Sequence, residues 1–354
     1  MIEVQALVLI GGYGTRLRPL TYTVPKAMVP IANVPFIEHM MRYLKSNGVE
    51  HVILTLCYLP DQIKRYLEHN DCGIAVDFVF ESEPLGTGGA VKNAEHLLED
   101  EFLVFNGDIL TTIDLKKLVS FHREHNAFVT IALTPVDNPS LYGVVVLDSD
   151  GRVQKFIEKP PIELAPSNLI NAGIYVYRKD VLRHIPPKVE YSVERQLYPK
   201  LLECGERLFA VAFTDDYWID IGSIDKYMRA NFDILDGKLP TQIRGKEVSP
   251  RLWAEDGAEI SQNAKIIPPA LVGANSVIEA GAQVGPYAIL GRNALVKSGA
   301  VVEHAIIWDG CEIGNNARVC ETVLGFNCKV EDGAIATMPV YACNTTICAQ
   351  VAMT

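Results

Sequence analysis

Basic tracts are missing from this chain. Lys and Arg number 32 against 43 Asp and Glu in 354 residues, for a net charge of −11. A surface of that sign repels a polyphosphate backbone, so a general nucleic-acid partner is excluded, while local Arg and Lys pockets can still meet small anions. No apolar run approaches the roughly 18 residues that a span needs, and no membrane partner is expected. The start, Met1-Ile-Glu3 ahead of a short apolar run, lacks a basic leader region, which reads as a cytoplasmic protein. The eight cysteines never fall as C-x-x-C, so zinc-ribbon and redox spacings are absent and free, mostly buried thiols are expected. The histidines show no metal-ligand spacing either.

What is present is ordinary globular material, 49% hydrophobic and 21% charged, long enough for two medium domains. From residue 1 to about 236, short apolar runs alternate with amphipathic stretches, the pattern of an α/β domain with a mostly parallel sheet. The first strand is Ala6–Ile10. A helix over Phe36–Ser46 buries Ile37, Met40, Met41 and Leu44 and stops at Gly48. Further helices are expected near Gly89–Leu98 and Asp114–His125, and a last one over Ile224–Leu235 with Ser223 as its N-cap. Residues 237–254 lose periodicity and gain Gly237, Pro240, Gly245 and Pro250, as a linker does.

Residues 255–354 repeat. Aliphatic residues recur every six positions at Ile260, Ile266, Val272, Ile278, Val284, Leu290, Val296 and Val302, each preceded two residues earlier by Ala or Ser. Such a hexapeptide period specifies a parallel β-helix, with the aliphatic residue filling the prism and the small one its corner. The register slips near Trp308 and resumes at Ile313, which suggests an interrupting loop or irregular coil. The cysteines gathered here read as corner fillers.

Three features carry chemistry. Gly11-Gly12-Tyr-Gly14-Thr15-Arg16 follows the first strand directly, so its backbone can approach a ligand at the carboxyl end of the sheet. It lacks the Gly-Lys-Ser/Thr ending of a P-loop and the third glycine of a dinucleotide fingerprint. With Arg16 as a fork and Lys26 as a point charge, it forms a site for a triphosphate. Asp108 ends an apolar strand and suits a Mg²⁺ ligand, with Asp220 as its partner. In Glu83-Pro-Leu-Gly-Thr-Gly88-Gly, the Glu83 carboxylate can accept from two N–H donors of guanine, whereas an amide would better match thymine or uracil.

Gly-Gly-x-Gly-Thr-Arg-Leu-x-Pro-Leu-Thr followed by Pro-Lys26 resembles the signature of the sugar-1-phosphate nucleotidyltransferases, or sugar-nucleotide pyrophosphorylases. Glu83-Pro-Leu-Gly-Thr-Gly-Gly, Asn106-Gly-Asp108, Tyr142-Gly143, Glu158-Lys-Pro160, Asn171-Ala-Gly173 and Trp218-Ile-Asp-Ile-Gly222 follow in that family's order. Several branches of the family append a left-handed β-helix, so the resemblance covers nearly the whole chain. It implies a Rossmann-like catalytic domain in which a sugar 1-phosphate oxygen attacks the α-phosphorus of a nucleoside triphosphate and expels pyrophosphate. By the same resemblance Asp108 and Asp220 hold Mg²⁺, Arg16 holds the leaving group, and Lys26 neutralises the triphosphate. Lys159 holds the sugar phosphate, and Gly143, Glu158 and Asn171 line the sugar pocket.

The form with Glu83, Tyr-Gly-Val-Val and a β-helix tail is similar to mannose-1-phosphate guanylyltransferases, although their segment usually has Ala where Gly88 stands. GTP with mannose 1-phosphate is therefore the expected pair. The alternatives are dTTP or UTP with glucose 1-phosphate, or a sugar-nucleotide sensor without turnover. A third reading gives the β-helix an acetyl transfer with His304 as base. The tail is expected instead to support a homo-oligomer.

Overall fold

The computed structural model describes residues 4–349; Glu3 and the last residues of the 255–354 span lie outside them. The described residues form two compact units. One joins the chain up to Tyr13 with Met40–Asp220, and the other joins Gly14–His39 with Ile221 onward.

The strands of the first unit are β1 (Gln5–Leu9), β4 (His51–Leu56), β5 (Ala75–Phe80), β6 (Glu101–Asn106), β7 (Ile109–Thr111), β8 (Val129–Pro135), β9 (Gly143–Leu147), β10 (Val153–Glu158), β11 (Leu169–Arg178), β12 (Leu208–Ala212) and β13 (Trp218–Asp220). β2 (Pro30–Ile31) and β3 (Val34–Pro35) make a hairpin in the second unit. The large sheet runs β10-β9-β11-β6-β1-β4-β5, with β8 also beside β11 and β12 beside β8. β5, β4, β1 and β6 are parallel, and β11 lies antiparallel to β6. The α/β architecture expected from the alternating pattern is present. Ala6, Leu7 and Val8 are fully buried, as a central strand covered on both faces requires.

Helix α1 (Phe36–Ser46) has the expected bounds and buries the four predicted residues. α2 covers Pro60–His69, and α3 covers Gly86–Asn93, earlier than the expected 89–98. In α4 (Leu115–Glu124), Asp114 caps the start by accepting from the Lys116 and Lys117 amides at 2.8 and 3.3 Å. α5 is Tyr198–Glu203, and α6 (Ile224–Leu235) is capped by Ser223 as expected. No helix among the described residues is long and apolar enough to cross a membrane.

In the second unit, three parallel sheets form the faces of a β-helix, beginning with Leu252–Ala254, Glu259–Ile260 and Lys265–Ile266. The sixfold aliphatic residues fill its core together with the small residues that precede them. No loop interrupts it. The early coils advance by 18 residues, as in Val284↔Val302, and the later ones by 17, as in Val302↔Val319. The residue lost lies at the corner holding His304 at φ 46°, so Ala305 comes one position early and still pairs with Ala288. Cys311 and Cys328 are corner residues in this core, donating to the carbonyls of Gly325 and Ala342. All eight cysteines are free, but only these two are fully buried; Cys204 and Cys348 are exposed because they sit at a helix end and near the last coil, outside either core. His304 packs its ring 5.4 Å from Tyr287 and edge-on to Phe232 of α6.

Candidate active site

The site begins where parallel strands end. β1 runs into Gly11 and β6 into Asn106-Gly107-Asp108, and the Gly107 amide donates to the Leu9 carbonyl at 2.9 Å. A Cβ at Gly107 would stand 2.5 Å from that carbonyl oxygen, so only glycine lets the two strand ends close. The chain then turns sharply, with the Asp108 amide donating to the Asn106 carbonyl at 2.8 Å. It enters β7, which pairs antiparallel with β13 so that Asp220 lies opposite Ile109. Asp108 is thus one residue from the cross-strand partner of Asp220, and the two acids predicted to cooperate occupy adjacent register positions. Asp220 is buried and its Oδ1 accepts from the Tyr142 hydroxyl at 2.6 Å, while Asp108 is half-buried. Trp218 packs edge-on to Tyr142 and donates its indole N–H to the Ala172 carbonyl, joining β13 to the Asn171-Ala-Gly173 segment.

The donor set fits a hard divalent ion. Asp108 and Asp220, one register position apart along the β7–β13 pair, offer oxygen donors only. That is the pattern of a cation held by one or two carboxylates that completes its shell with water and substrate phosphate.

A second group of predicted residues meets at the β9–β10 pair. Gly143 stands opposite Glu158, and a Cβ there would lie 2.5 Å from the Phe156 ring and 3.0 Å from Glu158 Oε2. The following Lys159 has φ 51° and donates its amide to the Tyr142 carbonyl, which turns its exposed side chain away from the strand line. Its ammonium is 3.6 Å from Glu158 Oε1. Burial and, secondarily, the Glu194 carboxylate raise the Glu158 carboxyl above its ordinary range. Asn171 sits at a β-bulge of β11, accepting from the Gly173 amide at 2.9 Å and donating to the Tyr175 hydroxyl at 2.8 Å.

Glu194 went unread in the sequence. It lies in a single π-helical turn, Val193–Leu197, and accepts from the hydroxyls of Thr87 and Ser192 at 2.9 and 2.7 Å. Such turns concentrate at functional sites, but the residues themselves show no periodicity that announces one. The Gly88 amide is also taken in this region, donating to the Tyr191 carbonyl at 2.7 Å. A Cβ at Gly88 would stand 2.9 Å from Tyr191 Cδ1, so this glycine goes with that tyrosine.

Glu83 is exposed, whereas Glu81, two residues earlier at the end of β5, is buried beside Gly11. Its Oε2 accepts from the Leu85 amide at 3.0 Å, while Oε1 makes no hydrogen bond. Desolvation raises its carboxyl above the ordinary range. The signal available in the sequence was position: Glu81 follows β5 as Gly11 follows β1. Gly12 is exposed, with open space where a side chain would be, and Tyr13 packs edge-on to Tyr58.

Gly14, Thr15, Arg16 and Lys26 belong to the second unit. Thr15 and Arg16 lie exposed on a short 3-10 turn, and Gly14, at φ 61°, has the Thr21 and Lys26 Cβ regions at its back. Thr21 donates its hydroxyl to the Gly14 carbonyl at 2.8 Å, so glycine and lysine belong to one folded block.

Residues 5–237 match the Nucleotidyl transferase family, and residues 248–353 match the GMPPB C-terminal domain family. A mannose-1-phosphate guanylyltransferase of Mycobacterium tuberculosis is 38% identical over 285 residues, covering 79% of this chain and 77% of the relative. A UTP–glucose-1-phosphate uridylyltransferase of Synechocystis is 32% identical over 348 residues, covering 93% and 89%. The crystal structure of HddC from Yersinia pseudotuberculosis complexed with GMP-PN matches at a TM-score of 0.58 and 33% identity, over 65% of this chain and 99% of that one. With its first 237 residues matched almost throughout and its strand ends carrying paired acids, the chain belongs to the nucleotidyl transferase family.

Proposed function

We propose that this protein transfers GMP from GTP to mannose 1-phosphate, giving GDP-mannose and pyrophosphate with Mg²⁺. The observation that carries the reaction class is the placing of Asp108, just ahead of β7, one register position from Asp220 on β13, with Tyr142 joining Asp220 to the Gly143–Glu158–Lys159 corner. A sugar phosphate oxygen forms the new bond to the α-phosphorus as the α–β anhydride bond breaks and pyrophosphate departs. No protein nucleophile is needed; positioning and charge neutralisation do the chemistry. Bound at Asp108 and Asp220, Mg²⁺ would supply positive charge to the phosphates. Tyr142 orients the Asp220 carboxylate through its hydroxyl. Lys159 pairs with the sugar phosphate, Glu158 and Asn171 accept and donate to sugar hydroxyls, and Gly143, lacking a Cβ, lets the Phe156 ring and Glu158 pack at that corner of the sugar pocket. Gly11, Gly12, Gly14 and Thr15 approach the triphosphate through their backbone, with Arg16 on the departing pyrophosphate and Lys26 on the triphosphate.

Base choice rests on Glu81 rather than on Glu83 or on the Gly88 amide. An ionised carboxylate with a free oxygen accepts from guanine N1–H and its 2-amino group, while uracil and thymine flank one N–H with two carbonyls that a carboxylate repels. The uridylyltransferase relative is similar over most of the chain, so base choice turns on this one side chain. A cytoplasmic setting, assembly into a homo-oligomer, and a division into residues 1–236 for catalysis, 237–254 as linker and 255–354 as β-helix complete the proposal.

The test is pyrophosphate release across GTP, dTTP, UTP, ATP and CTP with common hexose 1-phosphates. Asp108→Asn and Asp220→Asn should each lower kcat by about 10²-fold or more while leaving the melting temperature near that of the parent. Full activity in both variants would remove the paired-acid mechanism, and silence of the parent with every substrate pair would remove the reaction.

A further inference from the structure

The segment Gly14–His39 leaves the end of β1 yet belongs to the same compact unit as the β-helix. Its interior is knitted by short bonds: Met28 N–H to the Pro25 carbonyl at 2.8 Å, Val29 N–H to Lys26 at 3.2 Å, and Phe36 N–H to Val29 at 3.0 Å. The β2–β3 hairpin turns through Ala32 and Asn33, both with left-handed φ. Position and bonding make Lys26 and this hairpin one piece.

That piece is tethered. The buried Trp308 indole N–H donates to the Tyr227 hydroxyl oxygen at 2.9 Å, and the Tyr227 O–H donates to the Pro30 carbonyl at 2.7 Å. Because the indole is a donor only, it leaves the tyrosine its single proton for Pro30. Burial pushes the Tyr227 phenol upward, so it keeps that proton throughout the working range. On the turn, the Ala32 amide donates to Asn231 Oδ1 at 2.7 Å, and Asn231 donates back to the Tyr227 carbonyl. Asn33 donates to the Leu290 carbonyl in the β-helix at 2.8 Å. Arg244 binds Glu38 at 2.8 Å just past the hairpin. Trp308 follows the shortened corner of the coil, and its side chain packs against Tyr227 and Phe326.

We propose that the β-helix is a positioning element for nucleotidyl transfer: through Trp308, Tyr227 and Asn33 it fixes the block that presents Arg16 and Lys26 to the triphosphate. This rests on the reading that those two cations bind the triphosphate. A loosened block must be ordered again each time the nucleotide binds, which weakens nucleotide binding and leaves the sugar phosphate site untouched.

Three variants of the full chain test it. Tyr227→Phe removes the hydroxyl, Trp308→Phe keeps an aromatic ring and removes the indole donor, and Asn33→Gly removes the amide at a φ glycine accepts. Each should raise KM for the nucleotide about 3- to 10-fold while KM for the sugar 1-phosphate stays within about twofold. Backbone amides of residues 26–36 should exchange hydrogen faster, with β1 and β4 unchanged. Equal rises in both KM values, or unchanged exchange over residues 26–36 in all three variants, would overturn the proposal. A parent that turns over no substrate pair overturns the proposed reaction instead, and the exchange measurement still decides whether the tether exists.

Discussion

Glu81 shows how far single residues could be read. The sequence displays two acids in Phe80-Glu81-Ser-Glu83, and only burial separates them: one closes a strand against Gly11, the other faces water. Replacing the first by an amide exchanges a double acceptor for a group that also donates. Glu81→Gln should therefore lower kcat/KM for GTP about tenfold or more and narrow its margin over UTP, measured in parallel pyrophosphate assays. The sign of the pH dependence follows from the raised carboxyl. Only the ionised form accepts from both guanine donors, so the GTP preference falls as pH drops through that raised value. Folding runs the other way: the raised carboxyl favours the protonated native state, and its contribution to stability is lost as pH rises through the same range. Glu81→Gln should abolish that loss, read as a melting-temperature difference from the parent that grows between acid and neutral pH.

Elements were legible where periodicity or caps announced them. α1 and α6 matched their stripes and stops, because Gly48 and Ser223 are strong local signals. The 3-10 turns between Thr15 and Met28 and the π-turn at Val193–Leu197 were not legible, since their conformation is imposed by packing rather than by an apolar repeat. The bulge at Asn171 likewise depends on the Tyr175 hydroxyl four residues away. Packing of α4 on β8 carries its own prediction. His122 is buried, bonds Thr130 through Nδ1 at 2.8 Å, and has no hydrogen bond on Nε2. Desolvation, with Arg178 and Arg123 nearby, lowers it from 6.5 to about 4. The unfolded chain binds its proton first, so stability present above about 6.5 is lost as pH falls toward 4, by up to about 3 kcal/mol. His122→Gln should flatten this acid limb in thermal melts recorded between pH 6.5 and 4; an unchanged slope would place the acid sensitivity elsewhere.

At the scale of the whole molecule, the two halves differ in how openly their sequence speaks. The β-helix repeats one physical rule at every coil, so its core was readable residue by residue, and even the slip proved to be the same corner shortened by one residue in each later coil. Segment Gly14–His39 was not readable in this way. Arg16 and Lys26 stood out as candidate phosphate-binding cations, but no local pattern tells a loop which body to pack on, and the tethers to Tyr227, Asn231 and Leu290 come from far along the chain. The central claim is a guanylyl transfer selected by a buried acid. Its most direct measurement is kcat/KM for pyrophosphate release with GTP plus mannose 1-phosphate against UTP plus glucose 1-phosphate, in the parent and in Glu81→Gln. The parent should favour the guanine pair by about tenfold or more, and the variant should lose most of that margin. A parent that favours UTP and glucose 1-phosphate, or a variant with the margin intact, would contradict the account.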